Sequence, residues 1–253
     1  MMENRDDWDQ HWANYDLTAR YNPAQAYRRE ITLHWIKSQP AAAARILDIG
    51  SGQGDLAVIL AQAFAGSEIA GIEASAIGIA QSRIKAPSVS FFQRDLLIEP
   101  APDDGLREWA TMAICSEVLE HVDQPEIVLA NAARYLRPGA PLLITVPGGP
   151  MSVFDRHIGH RRHFDTQSLK KLIGDAGLVP ERVSGVGLPF FNLYRMIIIL
   201  RGKALIRDAS AESRQDVGLL ARIAMGTFSR VLKRRMNSSS LGWQMIGEAR
   251  KPD

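Results

Sequence analysis

The chain has 253 residues, 46% hydrophobic and 23% charged, with a formal net charge of +2 and one cysteine, Cys115. That length holds one large α/β domain or two small ones. A lone cysteine excludes an internal disulfide framework and fits a reducing cytoplasm. The acidic, polar opening MMENRDDWDQ does not read as a secretory signal. The apolar run MIIIL (196–200) is far shorter than the roughly 20 residues of a membrane span, so a soluble cytoplasmic protein is expected.

Residues 1–43 read as a helical cap, with Trp8, Trp12 and Tyr15 three and four apart on one face and Asn22-Pro23 opening a helix. The texture then changes. ARILDIG (44–50) is a short buried strand, and SGQGDLAVILAQAF turns through glycines into a helix. SEIAGIEAS (67–75) is a second strand followed by a helix, VSFFQRDLL (89–97) a third, and WATMAICSEVLEHV (109–122) contains a fourth. A helix over about 125–136 ends at RPGA, and PLLITVP (141–147) is a fifth strand. TQSLKKLIGDAGL (166–178) is a helix, VPERVSGVG (179–187) a sixth strand, and GWQMIGEARK (242–251) alternates as a final edge strand. Strands alternating with helices of this length predict a Rossmann-like, doubly wound α/β fold. The expected sheet is mostly parallel and seven-stranded, with an antiparallel last strand. One domain would then span 1–253, with a core over 44–189, a helical insertion over 190–236 and the last strand in 237–253.

The insertion concentrates charge. Residues 190–236 carry ten Arg/Lys against three acids, +7, so the remainder carries about −5. With the apolar LPFFNLYRMIIIL, this segment suits an acceptor lid, a homodimer contact or a peripheral membrane contact. The near-neutral net charge argues against a nucleic-acid partner.

The sharpest local pattern is LDIGSGQGDL (47–56). Glycines after a buried strand let a ligand cross the strand end without a Cβ in the way. Glu73 closes the next strand 19 residues after Gly54, where a carboxylate can hold both ribose hydroxyls. The dinucleotide fingerprint needs glycine at 55, and the chain has Asp55 there. Asp48 and Asp55 would repel a diphosphate and attract a ligand carrying ammonium and sulfonium groups. A nicotinamide-dependent oxidoreductase is therefore the weaker alternative, and a silent scaffold on the same fold a second.

LDIGSGQG, GIEAS, RDLL and SEVLEHV, in this order and spacing, resemble class I S-adenosylmethionine-dependent methyltransferases, the broad group that includes the ubiquinone-biosynthesis enzymes. The resemblance implies S-adenosylmethionine as cofactor and S-adenosylhomocysteine as product. It implies that Asp48, Gly50, Ser51, Gly52 and Gly54 line the methionine part, Glu73 the ribose and Ala74 the adenine side. Asp95 would accept from the adenine amino group, unless it caps a turn, and Leu96 would pack on the ring. Ser116 and Glu117 would border the donor pocket. The expected reaction is methyl transfer to an oxygen or nitrogen of a small natural-product, sugar or quinone-like acceptor.

The fifth strand leads into DRHIGHRRHF (155–164). That loop sits where an acceptor would lie, so His157, His160 and His163 join Glu117 as expected acid–base or acceptor contacts. The alternative is a lid whose histidines bond to backbone. Spacings of three suit a helix face, but Gly159 interrupts it, so no metal is expected on these histidines. Arg161 and Arg162 would clamp an anionic group or pair with nearby acids. Trp12, Tyr15 and Tyr21 are expected to cover the acceptor. His121, four residues after Glu117, would share a helix face with it.

Overall fold

The structure, a computed structural model, describes residues 8, 9, 12, 22–39, 44–98, 105–210 and 238–253. Helix α1 (Pro23–Ser38) begins as the Asn22-Pro23 pair predicts, with the Asn22 side chain accepting from the Ala24 amide at 2.9 Å. Strand β1 (Arg45–Ile49) leads into α2 (Asp55–Ala63), β2 (Glu68–Glu73), α3 (Ala76–Lys85) and β3 (Ser90–Gln93). Then come β4 (Met112–Ser116), α4 (Pro125–Ala132), β5 (Pro141–Pro147), α5 (Val153–His157) and α6 (Thr166–Asp175). The chain continues through β6 (Val179–Val186), α7 (Phe190–Ser210), the two-residue β7 (Ser238–Ser239) and β8 (Gln244–Arg250).

The sheet runs β3-β2-β1-β4-β5-β8-β6-β7, with β1 to β5 parallel and β8 antiparallel to both its neighbours. Two expectations change. The sheet has eight strands, because Ser238–Ser239 adds a short pair to β6. The last strand is interior, inserted between β5 and β6, although its alternation suggested an edge. Met245, Ile246 and Ala249 are all buried, since apolar layers cover both faces.

One layer packs Tyr27, Ile31 and Trp35 of α1 with Leu60 of α2, Ile79 of α3 and Phe191 of α7. The other sets Leu129 of α4 and Leu169 and Ile173 of α6 against β4, β5 and β8. Helices on both faces leave the carboxyl ends of β1, β2, β4 and β5 as a shared rim, where ligands bind in open sheets of this kind. Tyr15, Tyr21 and residues 211–236 of the expected insertion lie outside the described residues. Within the described ones, no helix is long and apolar enough to cross a membrane.

Candidate active site

Strand β1 ends at Asp48 and Ile49, and the chain then turns with φ of +70° at Gly50, +54° at Gly52 and +82° at Gly54, where α2 starts. Glycine is needed for more than the turn. A Cβ on Gly50 would lie 2.3 Å from the Val118 side chain, and one on Gly52 would lie 2.6 Å from the Trp12 ring. Glu73 braces the loop: its carboxylate accepts from the Gly52 amide and the Ser75 amide, both at 2.9 Å. Burial pushes Glu73 up from the usual carboxylate range, against the amides that lower it.

Asp48 is fully buried, and burial, then the neighbouring Glu73 charge, raises it to about 7. Its Oδ2 and the buried Ser51 hydroxyl have no hydrogen-bond partner among the described residues. Buried polar atoms left open at a strand end are costly unless a ligand uses them. Together with the glycine turn they fit the amino-acid end of S-adenosylmethionine. Asp55 does not contribute negative charge as expected, because Lys85 at 3.0 Å and Arg29 at 3.7 Å pair with it.

The other residues expected on the cofactor side follow the ends of β2, β3 and β4. Ala74 is exposed just after β2, and its carbonyl accepts from Gln93 at 3.2 Å. Asp95 caps its own turn through the Leu97 amide at 2.9 Å, and Leu96 is buried in the core. Ser116 and Thr145 share a hydroxyl hydrogen bond of 2.8 Å where β4 and β5 end. The Trp12 ring packs on Gly52 and Gly78, beside Glu73. Asp9 fixes this segment by accepting from the Ser75 hydroxyl at 2.5 Å and the Ile77 amide at 3.1 Å.

Glu117 and His121 do not share a helix face. Glu117 has φ +58°, and the next turn is a 3-10 helix over Leu119–His121. The Glu117 carboxylate accepts from Gln244 at 3.0 Å and Thr145 at 3.3 Å, with Arg28 3.4 Å away. His121 instead meets His160, ring centroids 4.8 Å apart, and packs edge-on against Trp8 at 5.1 Å. Fully buried Glu120 lies between the same rings.

DRHIGHRRHF divides in two. His157 ends α5 and is exposed, turned out of the cluster by the Gly159 bend at φ +90°. His160 Nδ1 lies 3.3 Å from His163 Nε2, and His163 Nδ1 lies 3.0 Å from the Gly149 carbonyl. Burial, then the His121 ring, lowers the basicity of His160, so its ring is neutral. Among the described residues, Arg161 and Arg162 both turn to Asp123. Arg161 pairs with the Asp123 carboxylate, and Arg162 donates to the Asp123 carbonyl at 2.9 Å.

Arg28, Glu120, Gln244 and the buried pair Asp155–Arg195 were not expected. Glu120 alone carried a signal, an acid inside the apolar VLEHV stretch. Arg195 of α7 donates to both Asp155 oxygens at 2.9 Å, joining α7 to α5.

Comparison with known proteins gives the family. The methyltransferase-domain family matches residues 19–183. The chain is 29% identical over 147 residues to trans-aconitate 2-methyltransferase of Paracidovorax citrulli, covering 58% of this chain and 54% of that one. It is 30% identical over 161 residues to a ubiquinone biosynthesis O-methyltransferase of Xylella fastidiosa, covering 58% of this chain and 56% of that one. The match thus spans about half the length of these curated relatives. Phosphoethanolamine N-methyltransferase 2 of Haemonchus contortus, solved with S-adenosylmethionine, superposes with a TM-score of 0.56 at 17% identity, over 89% of this chain and 53% of that one. At that identity the likeness is one of fold. A β1 turn with an open buried carboxylate, an acid ending β2 and a family match across most of the sheet place this chain among the class I S-adenosylmethionine-dependent methyltransferases.

Proposed function

We propose that the protein binds S-adenosylmethionine over the β1 turn and methylates an oxygen or nitrogen of a small acceptor. The observation that carries this reading is Asp48, buried at the strand end with an oxygen and the Ser51 hydroxyl unmatched. Asp48 and Ser51 would hold the amino-acid end, and Glu73, ending β2 beside the Gly52 turn, would take the ribose hydroxyls. The sulfonium supplies the activated methyl group, so the chain's task is alignment and exclusion of water. Glu117 suits alignment: three side chains hold it between the donor rim and β8.

A histidine base is not favoured by His157, which is exposed, or by His160 and His163, whose basicity burial lowers. An acceptor that is readily deprotonated, such as a carboxylate or an acidic phenol, suits this site better than an alcohol. Methyl-labelled cofactor incubated with trans-aconitate, ubiquinone precursors and a panel of carboxylates and phenols tests the reading. Transfer to at least one acid is expected, and transfer only to aliphatic alcohols or amines would refute this preference. Binding of the cofactor without transfer to any acceptor would favour the silent scaffold.

Helix α7 supports a second reading, peripheral contact with an anionic membrane. Leu193, Met196, Ile197 and Leu200 are exposed along one stripe that runs on into Arg201, Lys203 and Arg207. Co-sedimentation with anionic vesicles, lost on Leu193→Glu with Leu200→Glu, would bear this out. The same stripe would serve a homodimer, which light scattering would detect. A cytoplasmic location is part of the same proposal.

A further inference from the structure

Two groups of carboxylate and imidazole meet at His160: Asp155 with His160 and His163, and Glu120 with His121 and His160. In each, the potential ligand atoms lie within 4.8 Å of one another. The first group is satisfied as an ion pair. Arg195 donates to both Asp155 oxygens at 2.9 Å and the Ser152 amide donates at 2.7 Å. A guanidinium on that carboxylate cancels its charge and repels a cation.

The second group is different. Glu120 is fully buried, and neither of its oxygens has a hydrogen-bond partner among the described residues. A lone carboxylate removed from water costs several kcal/mol unless something neutralises it. Its Oε1 stands 3.8 Å from His121 Nε2 and 4.0 Å from His160 Nε2.

The hydrogen-bond chain behind His160 decides which way its lone pair points. The Gly149 carbonyl can only accept, so His163 Nδ1 carries the hydrogen and His163 Nε2 is an acceptor. His160 Nδ1 therefore donates to His163 Nε2, at 3.3 Å. His160 Nε2 is left bare, and it faces the Glu120 carboxylate. Two lone pairs confront each other, and a proton, a bridging water or a metal ion would reconcile them. A shared proton needs heavy atoms about 2.7–3.0 Å apart. Ligands of a tetrahedral zinc ion stand about 3.4 Å apart, which the Glu120–His121 and Glu120–His160 pairs reach by closing about half an ångström. The separation favours the larger ion. Relay of an imidazole through its second nitrogen to a carbonyl is also the support that metal-bound histidines use.

We propose that Glu120, His121 and His160 form a binding site for a divalent metal ion of the zinc class, with His163 and the Gly149 carbonyl as its outer support. Two nitrogens and one carboxylate oxygen leave a fourth position for water or an acceptor oxygen. Glu117 is not a ligand, because Thr145, Gln244 and Arg28 occupy it. The site is independent of the methyl-transfer reading.

The test uses the full chain without an affinity tag, stripped with chelator and titrated with cobalt(II), read by visible absorption and elemental analysis. About one equivalent of cobalt with the absorption of a low-coordinate nitrogen–oxygen site is expected, displaced by zinc. Glu120→Gln and His160→Gln should each weaken binding at least roughly tenfold, and His163→Phe by a smaller factor. S-adenosylhomocysteine affinity, measured in parallel, reports folding. Wild-type protein that takes up well under about one equivalent of cobalt, or variants that fold and bind it undiminished, would overturn the proposal. If a variant does not fold, the wild-type stoichiometry and spectrum decide. Cobalt uptake without cofactor binding would leave the metal site standing and remove the methyl-donor site.

Discussion

Replacing Asp48 with asparagine should make the protein more stable and less able to bind its cofactor. Asp48 is an acid whose folded-state pKa is raised, from 3.8 to about 7, first by burial and then by Glu73. The folded state therefore holds a proton that the unfolded chain releases between pH 4 and 7. Stability contributed by the protonated form is lost as pH rises through that window. A shift of roughly three units corresponds to about 4 kcal/mol above pH 7, about 2 near pH 5 and almost nothing below pH 4. Asparagine keeps the shape and removes the charge, so Asp48→Asn should exceed wild type by about 2–4 kcal/mol at pH 8, with the gap closing towards pH 4. Urea unfolding without ligand, repeated between pH 4 and 8.5, measures this. At the same time the variant should bind S-adenosylhomocysteine at least roughly tenfold more weakly, because a neutral amide replaces the partner of an ammonium group. A variant less stable than wild type at pH 8, or one that binds the cofactor undiminished, would refute the assignment of Asp48 as a charge held ready for a ligand.

Other outcomes follow from the same geometry. Wild-type affinity for S-adenosylhomocysteine should fall about tenfold per pH unit below about 7, as Asp48 takes up its proton, and level off above; calorimetry across pH 5–8.5 checks it. Gly52→Ala, at φ +54° with its Cβ 2.6 Å from Trp12, should weaken cofactor binding roughly tenfold, since the loop must shift. Arg195→Met should cost about 3–5 kcal/mol in urea unfolding, because it leaves the buried Asp155 carboxylate unpaired. Arg195 outweighs burial and holds Asp155 down at about 2, so that contribution is present above pH 4 and lost as pH falls through 2. Arg161→Ala and Arg162→Ala should leave turnover within a few-fold, as both are engaged with Asp123.

How much of this was legible depended on how local the cause is. The β1 turn is local: a buried strand, three glycines and an acid ending the next strand fix the ligand-facing loop without reference to distant residues. The turn cap that Asp95 allowed is made by the Leu97 amide. The histidine loop was not legible in the same way, because its partners come from elsewhere. His160 meets His121 and Glu120, some forty residues earlier, while Gly159 turns His157 away. The arginines look like an anion clamp until Asp123, on the segment before α4, takes them both. The last strand alternates like an edge because Glu248 interrupts its apolar run, yet its position depends on β6 crossing to its far side. Trp12 has the spacing of a packing face, and only the approach of α3 to the glycine loop shows which surface it covers.

The most direct test of the methyl-donor site is calorimetric titration of the wild-type chain with S-adenosylhomocysteine at pH 8, where Asp48 is ionised. One site with a dissociation constant in roughly the micromolar range is expected, weakened at least roughly tenfold by Glu73→Ala. No binding by a folded wild-type protein at about millimolar ligand would contradict it.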